Sequence, residues 1–190
     1  MIDLFAAAVQ LQAFCDRRGW RSCFIGGIAV QRWGEPRVTR DMDLTLLTGF
    51  GAEDEFITPL MAAYPARIEK ADEFARRYRT LLLATPEGLG IDVSLAALPF
   101  EERLVNRATT FSFGPGLDLR TCSAEDLVVL KLFASRPLDV RDAEGVIIRH
   151  KDELDWPYIE EQLRPLVEVK EAPEILGTLE RLRATQNEMS

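Results

Sequence analysis

Histidine and cysteine are scarce in this chain. His150 is the only histidine, and Cys15, Cys23 and Cys122 lie far apart. No two cysteines have the spacing of a metal site, so they read as buried free thiols of a reducing compartment. His150, near the end of a helical stretch, reads as structural. Long apolar runs are missing as well. None approaches the ~20 residues that would span a bilayer, and the N-terminus lacks a basic-then-apolar signal layout, so the expectation is a soluble cytoplasmic protein with no membrane partner. Positive charge is in deficit: 23 Lys and Arg against 31 Asp and Glu give a net charge of −8 and a pI near 4.8. That balance argues against a broad, nonspecific nucleic-acid face, while leaving room for a phosphorylated ligand where basic residues converge. The familiar nucleotide loops are incomplete too. Gly26-Gly27 is followed neither by the later glycine of a dinucleotide fingerprint nor by Gly-Lys-Ser/Thr.

What is present is an ordinary globular composition, 47% hydrophobic and 28% charged over 190 residues, enough for one domain with a sizeable core. Periodicity predicts a helix over Asp3–Arg18, capped by Asp3 and stopped by Gly19. Ser22–Ile25 reads as a short strand broken by Gly26-Gly27, and Ile28–Trp33 as a short helix ending at Gly34. Met42–Leu47 is apolar throughout, as a strand buried on both faces would be. Ala52–Tyr64 reads as a helix. Arg79–Ala84 and Gly90–Leu95 read as strands joined through Pro86-Glu87-Gly88, and Pro99–Arg107 as a short helix. Phe111–Phe113 and Leu117–Leu119 flank a Gly-Pro-Gly turn. From Ser123, whose Ser-Ala-Glu-Asp start resembles a capping box, the pattern is helical: through Ala134, again from Pro137 to His150, and from Trp156 onward. The shift from mixed strand and helix to helix alone sets an expected boundary, with 1–122 as an α/β core and 123–190 as a helical part packed on it. The three tryptophans, Trp20, Trp33 and Trp156, read as core or interface residues.

The chemistry-bearing stretch is FIGGIAVQRWGEPRVTRDMDLTLL, Phe24–Leu47. Asp41 and Asp43 stand one residue apart at the mouth of a strand, so alternation puts both carboxylates on one face. Carboxylates that close repel unless a cation lies between them, which suits a divalent ion with hard oxygen ligands. An EF-hand is excluded, because the loop lacks its glycine at position six. A strand that ends in two glycines before a helix lets backbone N–H groups approach phosphate oxygens. Arg37 and Arg40 lie between the glycines and the aspartates. Asp92, inside the apolar run Gly90-Ile91-Asp92-Val93-Ser94, is a costly place for an acid unless it is paired or coordinated.

In order and spacing, Gly26, Gly27, Asp41, Asp43 and Asp92 resemble the nucleotidyltransferase superfamily with the polymerase-β-like fold. Gly-Gly-x-Ala and Thr-Arg-Asp-x-Asp resemble its AbiEii-type branch, as does LKLFASRPLDVRDAEGV with Lys131, Arg136, Asp139 and Asp142. The resemblance spans Phe24 to Ile148. It departs at Gly27, where many members carry a serine that contacts phosphate. The fold it implies is α+β, a mixed sheet flanked by helices and followed by a C-terminal helical segment.

The function it implies is transfer of a nucleoside monophosphate from an NTP to an acceptor hydroxyl, with release of pyrophosphate. Asp41, Asp43 and Asp92 would be the catalytic and metal-binding residues, holding Mg²⁺ or Mn²⁺, with Asp92 placed to take the proton of the attacking hydroxyl. Gly26, Gly27, Arg37, Arg40, Lys131 and Asp142 would meet the nucleotide. Asp139 and Asp142, three apart on a helix, either serve the nucleotide site or pair with Arg136 or Arg141. Arg76-Arg77-Tyr78-Arg79 reads as a solvated basic edge, with contact to a nucleic-acid acceptor as its alternative. The acceptor class stays open among RNA, protein and small molecule, including an aminoglycoside-type substrate. The competing expectation is a non-catalytic module of the same fold that docks on a protein partner, as in toxin–antitoxin systems.

Overall fold

The computed structural model describes residues 4–150 and 153–188. Along them run α1 (Leu4–Asp16), β1 (Ser22–Phe24), α2 (Gly26–Trp33), β2 (Asp41–Leu47), α3 (Asp54–Ala63), α4 (Ala71–Tyr78), β3 (Thr80–Ala84) and β4 (Gly90–Ala96). There follow α5 (Pro99–Arg107), β5 (Thr109–Ser112), β6 (Asp118–Thr121), α6 (Ala124–Ala134), α7 (Pro137–His150), α8 (Trp156–Lys170) and α9 (Glu174–Glu188). The strands make one mixed sheet in the order β3-β4-β2-β1-β6-β5. The pairs β2–β4 and β1–β6 are parallel, while β1–β2, β3–β4 and β5–β6 are antiparallel. The class is α+β, as expected.

The chain divides into two compact units. Met1–Ile28 with Val38–Cys122 forms the first, and Ala29–Arg37 with Ser123–Ser190 the second. In the first, strand alternation sorts side chains between the two faces of the sheet. Met42, Leu44 and Leu46 of β2 and Ile91, Val93 and Leu95 of β4 are buried in the core, where Leu11, Phe14 and Cys15 of α1 cover them. The intervening positions of the two strands carry the polar side chains. In the second unit, Leu127, Val128 and Leu132 of α6, Val146 and Ile147 of α7, and Ile159 and Leu163 of α8 are buried. Ser123 caps α6, its hydroxyl accepting from the Asp126 N–H at 3.1 Å.

Three sequence expectations need correction. The helix expected from Ile28 begins at Gly26, because Gly26 takes a left-handed backbone (φ +52) that ends the strand and starts the helix at once. The helix expected from Ala52 begins at Asp54 and ends at Ala63. Helix α4 was not expected, although Asp72 and Glu73 in its first turn and Arg76 and Arg77 in its last suit the helix dipole. Arg76, Arg77 and Tyr78 of its basic run are exposed, as a solvated edge would be, with Arg76 pairing with Asp72 at 2.8 Å and Asp54 at 2.9 Å. The expected N-cap Asp3 lies outside the described residues.

Arg79 ends α4 in a left-handed conformation (φ +54). Its guanidinium donates to the carbonyls of Leu95 and Gly49, each at 2.8 Å, and to Glu53 Oε1 at 2.5 Å. One side chain thus ties the loop after β2 to the far end of β4. Lys131 does comparable work in the second unit. Its ammonium lies 2.8 Å from both Asp139 Oδ1 and Asp142 Oδ2, with all three side chains at most 8% exposed. Arg136 pairs with Asp139, and Arg37 makes a two-pronged contact with Asp142 at 2.8 and 2.9 Å. Burial pushes both carboxyls up, yet the hydrogen bonds from Arg136 and Lys131 to Asp139, and from Arg37 and Lys131 to Asp142, hold them below the usual carboxylate range.

Two stability predictions follow from these ties. Arg79→Met strands two carbonyls and Glu53, and urea unfolding is expected to show a loss of about 2–3 kcal/mol; an unchanged midpoint would mean water replaces all of its hydrogen bonds. Lys131→Ala leaves two buried carboxylates short of charge and is expected to cost about 3–5 kcal/mol at pH 7. The folded carboxyls have depressed pKa values, so their contribution is present above the unfolded value of about 4 and is lost as pH falls through the folded values. The Lys131→Ala penalty should therefore shrink below about pH 4, and a penalty independent of pH would contradict the pairing.

Candidate functional site

Sheet register builds the acidic site. Asp41 and Asp43 stand two apart on β2, which puts them on the face opposite the buried Met42 and Leu44. Parallel pairing with β4 sets Asp43 beside Asp92 and Asp41 beside Gly90. Adjacent strands lie about 4.8 Å apart, so Asp43 and Asp92 are cross-strand neighbours on one face. The structure therefore places all three expected aspartates on one face of two adjacent strands.

Their electrostatics agree with that placement. Burial pushes the Asp92 carboxyl up, the Arg67 guanidinium opposes, and the Asp43 and Asp41 carboxylates push it further up. The Asp41 side chain is 54% exposed and that of Asp92 is 36% exposed, so the face is open to solvent.

The glycines make room for this face. A Cβ on Gly26 would overlap the Asp43 carboxylate, and one on Gly27 would overlap the Thr39 hydroxyl. Gly27 N–H points at Asp43 Oδ2 at 3.4 Å, and Ile25 N–H donates to the Asp43 carbonyl at 2.9 Å. The β1–α2 turn is thus fitted to Asp43 itself. Gly90 plays the same part on β4, where a Cβ would overlap the Asp41 carboxylate.

Hard carboxylate oxygens on one face, with glycines clearing the space around them, fit a divalent cation in donor type. Among the described residues, however, no three acidic, histidine or cysteine side chains are gathered into a metal-holding group. A cation of the protein's own lies among them: Arg67 pairs with Asp92 and stands 4.0 Å from Asp41. Sequence reasoning missed Arg67, Gly90 and Thr39. Gly90, two residues before an acid at the head of a strand, carried a usable signal; Arg67 had none nearby.

The remaining expected residues fall elsewhere. Arg40 is exposed, beside Asp41 in the chain. Lys131, Arg37 and Asp142 belong to the second unit and form the ion-pair network described above, with Asp139 and Arg136. For Asp139 the pairing with Arg136 is present, and for Asp142 the partners are Arg37 and Lys131. Arg141 lies 4.0 Å from Glu35. His150 ends α7, its Nε2 3.0 Å from the Trp33 carbonyl, a structural contact as expected. No helix among the described residues is long and apolar enough to cross a membrane.

Comparison with known proteins identifies the fold and the family. No curated protein matches the sequence. Among solved structures, a crystal structure of an antigenic nucleotidyltransferase-like protein from Paracoccidioides brasiliensis is similar, with a TM-score of 0.53, 18% identity, and 93% of this chain and 92% of that chain covered. The solution structure of the antibiotic-resistance factor ANT(2'')-Ia aligns at a TM-score of 0.46 with 17% identity, over 97% of this chain and 90% of that one. Its crystal structure with adenylyl-2''-tobramycin aligns at 0.45 with 18% identity, over 97% and 95%. The first of these shows the fold: the six-stranded mixed sheet with its helices is nucleotidyltransferase-like. A family model described as nucleotidyltransferase of unknown function (DUF6036) matches residues 1–172. The chain belongs to that nucleotidyltransferase family.

Proposed function

We propose that the protein is a divalent-metal-dependent nucleotidyltransferase that moves a nucleoside monophosphate from an NTP to an acceptor hydroxyl. The observation that carries this reading is the β2–β4 register, which sets Asp41, Asp43 and Asp92 on one open face. In this reading the three carboxylates hold Mg²⁺ or Mn²⁺, and the bound ion supplies Lewis-acid stabilisation of charge on the reacting phosphate. The acceptor oxygen bonds to the α-phosphorus, the bond to the bridging oxygen of the β-phosphate breaks, and pyrophosphate leaves. The acceptor's proton passes to Asp92, whose carboxyl, raised by burial, is a stronger base than an ordinary carboxylate. Gly26 and Gly27 fit the β1–α2 turn closely around Asp43 and Thr39, beside which the triphosphate would lie, and Arg40 offers exposed charge to it. Within the second unit, Asp142 sets where the two cations Lys131 and Arg37 stand.

Residues 1–122 form the transferase core in this reading and 123–190 its helical companion. The AbiEii-type motifs favour a branch allied to toxin–antitoxin systems, with RNA, protein or a small molecule as acceptor.

A second reading is favoured by one observation. Arg67 stands among the acids that a metal would need, as in a module that binds a protein partner without catalysis. Incubation with α-labelled NTPs, Mg²⁺ and candidate acceptors separates the two. Label transfer should fall at least about a hundredfold in Asp43→Ala, several kcal/mol of transition-state stabilisation being removed. Equal labelling by wild type and Asp43→Ala would sink the catalytic reading. Calorimetry showing tight partner binding without Mg·NTP binding would support the second.

A further inference from the structure

Arg67 reaches the acidic face by construction of the backbone. Its N–H donates to the Leu82 carbonyl at 3.0 Å, and Ala84 N–H donates to the Pro65 carbonyl at 2.8 Å. Between them Ala66 bridges Leu83 in antiparallel fashion. Residues 65–67 thus run as a short extra rung along the outer edge of β3. Leu82 pairs with Asp92, and Asp92 with Asp43. Arg67, Leu82, Asp92 and Asp43 therefore stand in one row across the sheet, and the arginine extends over Leu82 to the carboxylates.

Space is kept for it. A Cβ on Gly90 would come within 3.1 Å of Arg67 Nη1 as well as overlapping Asp41. The guanidinium pairs with Asp92 and stands 4.0 Å from Asp41, and its side chain is 32% exposed. Backbone register, a glycine gap and two carboxylates all define its position, which separates it from a surface arginine that swings freely.

Three carboxylates on one face repel each other, and a single positive charge among them lowers that cost. A divalent ion needs the same oxygens. We propose that Arg67 is the resident counter-ion of the acidic face: it holds Asp41 and Asp92 in place when no metal is bound, yields Asp92 when a divalent ion enters, and thereby sets the affinity of the site for that ion. This rests on the reading that the three aspartates bind a divalent cation. Arg67 is a positioning residue, acting on the carboxylates and not on the substrate.

The test is Mn²⁺ titration of the full chain, with free Mn²⁺ read by electron paramagnetic resonance, on wild type, Arg67→Gln, Arg67→Lys and Asp43→Asn. Removing one positive charge from beside a bound divalent ion should tighten Mn²⁺ binding about tenfold in Arg67→Gln. Arg67→Lys keeps the charge but on a shorter side chain without the planar fork of donors, and should fall between Arg67→Gln and wild type. Thermal melts give a second readout. Without metal, Arg67→Gln should unfold at a lower temperature than wild type, and its rise on adding Mn²⁺ should be larger. Should Arg67→Gln fail to fold, the same comparison on Arg67→Lys decides the matter, since its Mn²⁺-induced rise should still exceed that of wild type. Unchanged or weaker Mn²⁺ binding in both arginine variants, with binding lost in Asp43→Asn, would overturn the counter-ion role and leave the metal site standing. Absence of Mn²⁺ binding in wild type and all variants would overturn the metal reading and the proposal with it.

Discussion

The parallel pairing of β2 with β4 is the constraint on which the rest depends. It sets Asp43 beside Asp92 and Asp41 beside Gly90, and it does so while Met42, Leu44, Ile91 and Val93 fill the core from the other face. Because strand side chains alternate, a slip of one residue would bury the acids and expose the core. Hydrophobic burial therefore fixes the acidic face, and the stability of the core and the placement of the carboxylates cannot be varied independently. The glycines are subordinate to the same pairing. Gly26 and Gly90 stand where any side chain would collide with Asp43 or Asp41.

Gathering acids has a cost, and each unit meets it with a cation held by structure. In the second unit Lys131, Arg37 and Arg136 surround the nearly buried Asp139 and Asp142 and keep their carboxyls below the usual range. In the first unit, on a face open to solvent, Arg67 pairs with Asp92, and the Asp92 carboxyl is pushed above its usual range despite it. The difference is physical. Asp139 and Asp142 are fully compensated, as buried charges in a stable core need to be. In the first unit the Asp92 carboxyl is raised chiefly by burial, which sets it apart from the ion pairs of the second unit.

Much of the fold was legible because it rests on local signals. A continuous apolar run marked β2, strand-like runs marked β3 and β4, Pro99 opened α5, and Ser123 with Asp126 marked the start of α6. Asp41 and Asp43 were readable as one face for the same reason, since alternation is a property of a single strand. The α+β class and the nucleotidyltransferase relationship were legible from motif order. What escaped was non-local. Arg67 meets Asp92 only because residues 65–67 run alongside β3, a contact across 25 positions with no sequence signature. Helix α4 is short and strongly polar, so its charge pattern spoke for solvent before it spoke for a helix. The glycine pair was read as space for phosphate. Its first occupant is the Asp43 side chain on one glycine and Thr39 on the other, a tertiary fit that spacing alone does not reveal. Lys131 was read as a phosphate partner, with Asp139 and Asp142 either serving the nucleotide site or pairing with an arginine; both carboxylates, two and five residues beyond Pro137, contact its ammonium.

The central claim is that Asp41, Asp43 and Asp92 form a divalent-cation site for nucleotide chemistry. A crystal structure of the protein soaked with Mn²⁺ and a non-hydrolysable NTP tests it most directly, because manganese is located by its anomalous scattering. The account predicts an anomalous peak about 2.0–2.2 Å from carboxylate oxygens of Asp41 and Asp43, with the triphosphate against the β1–α2 turn. Nucleotide bound with manganese away from these carboxylates, or an acidic face still bridged by Arg67 with no manganese peak, would contradict it.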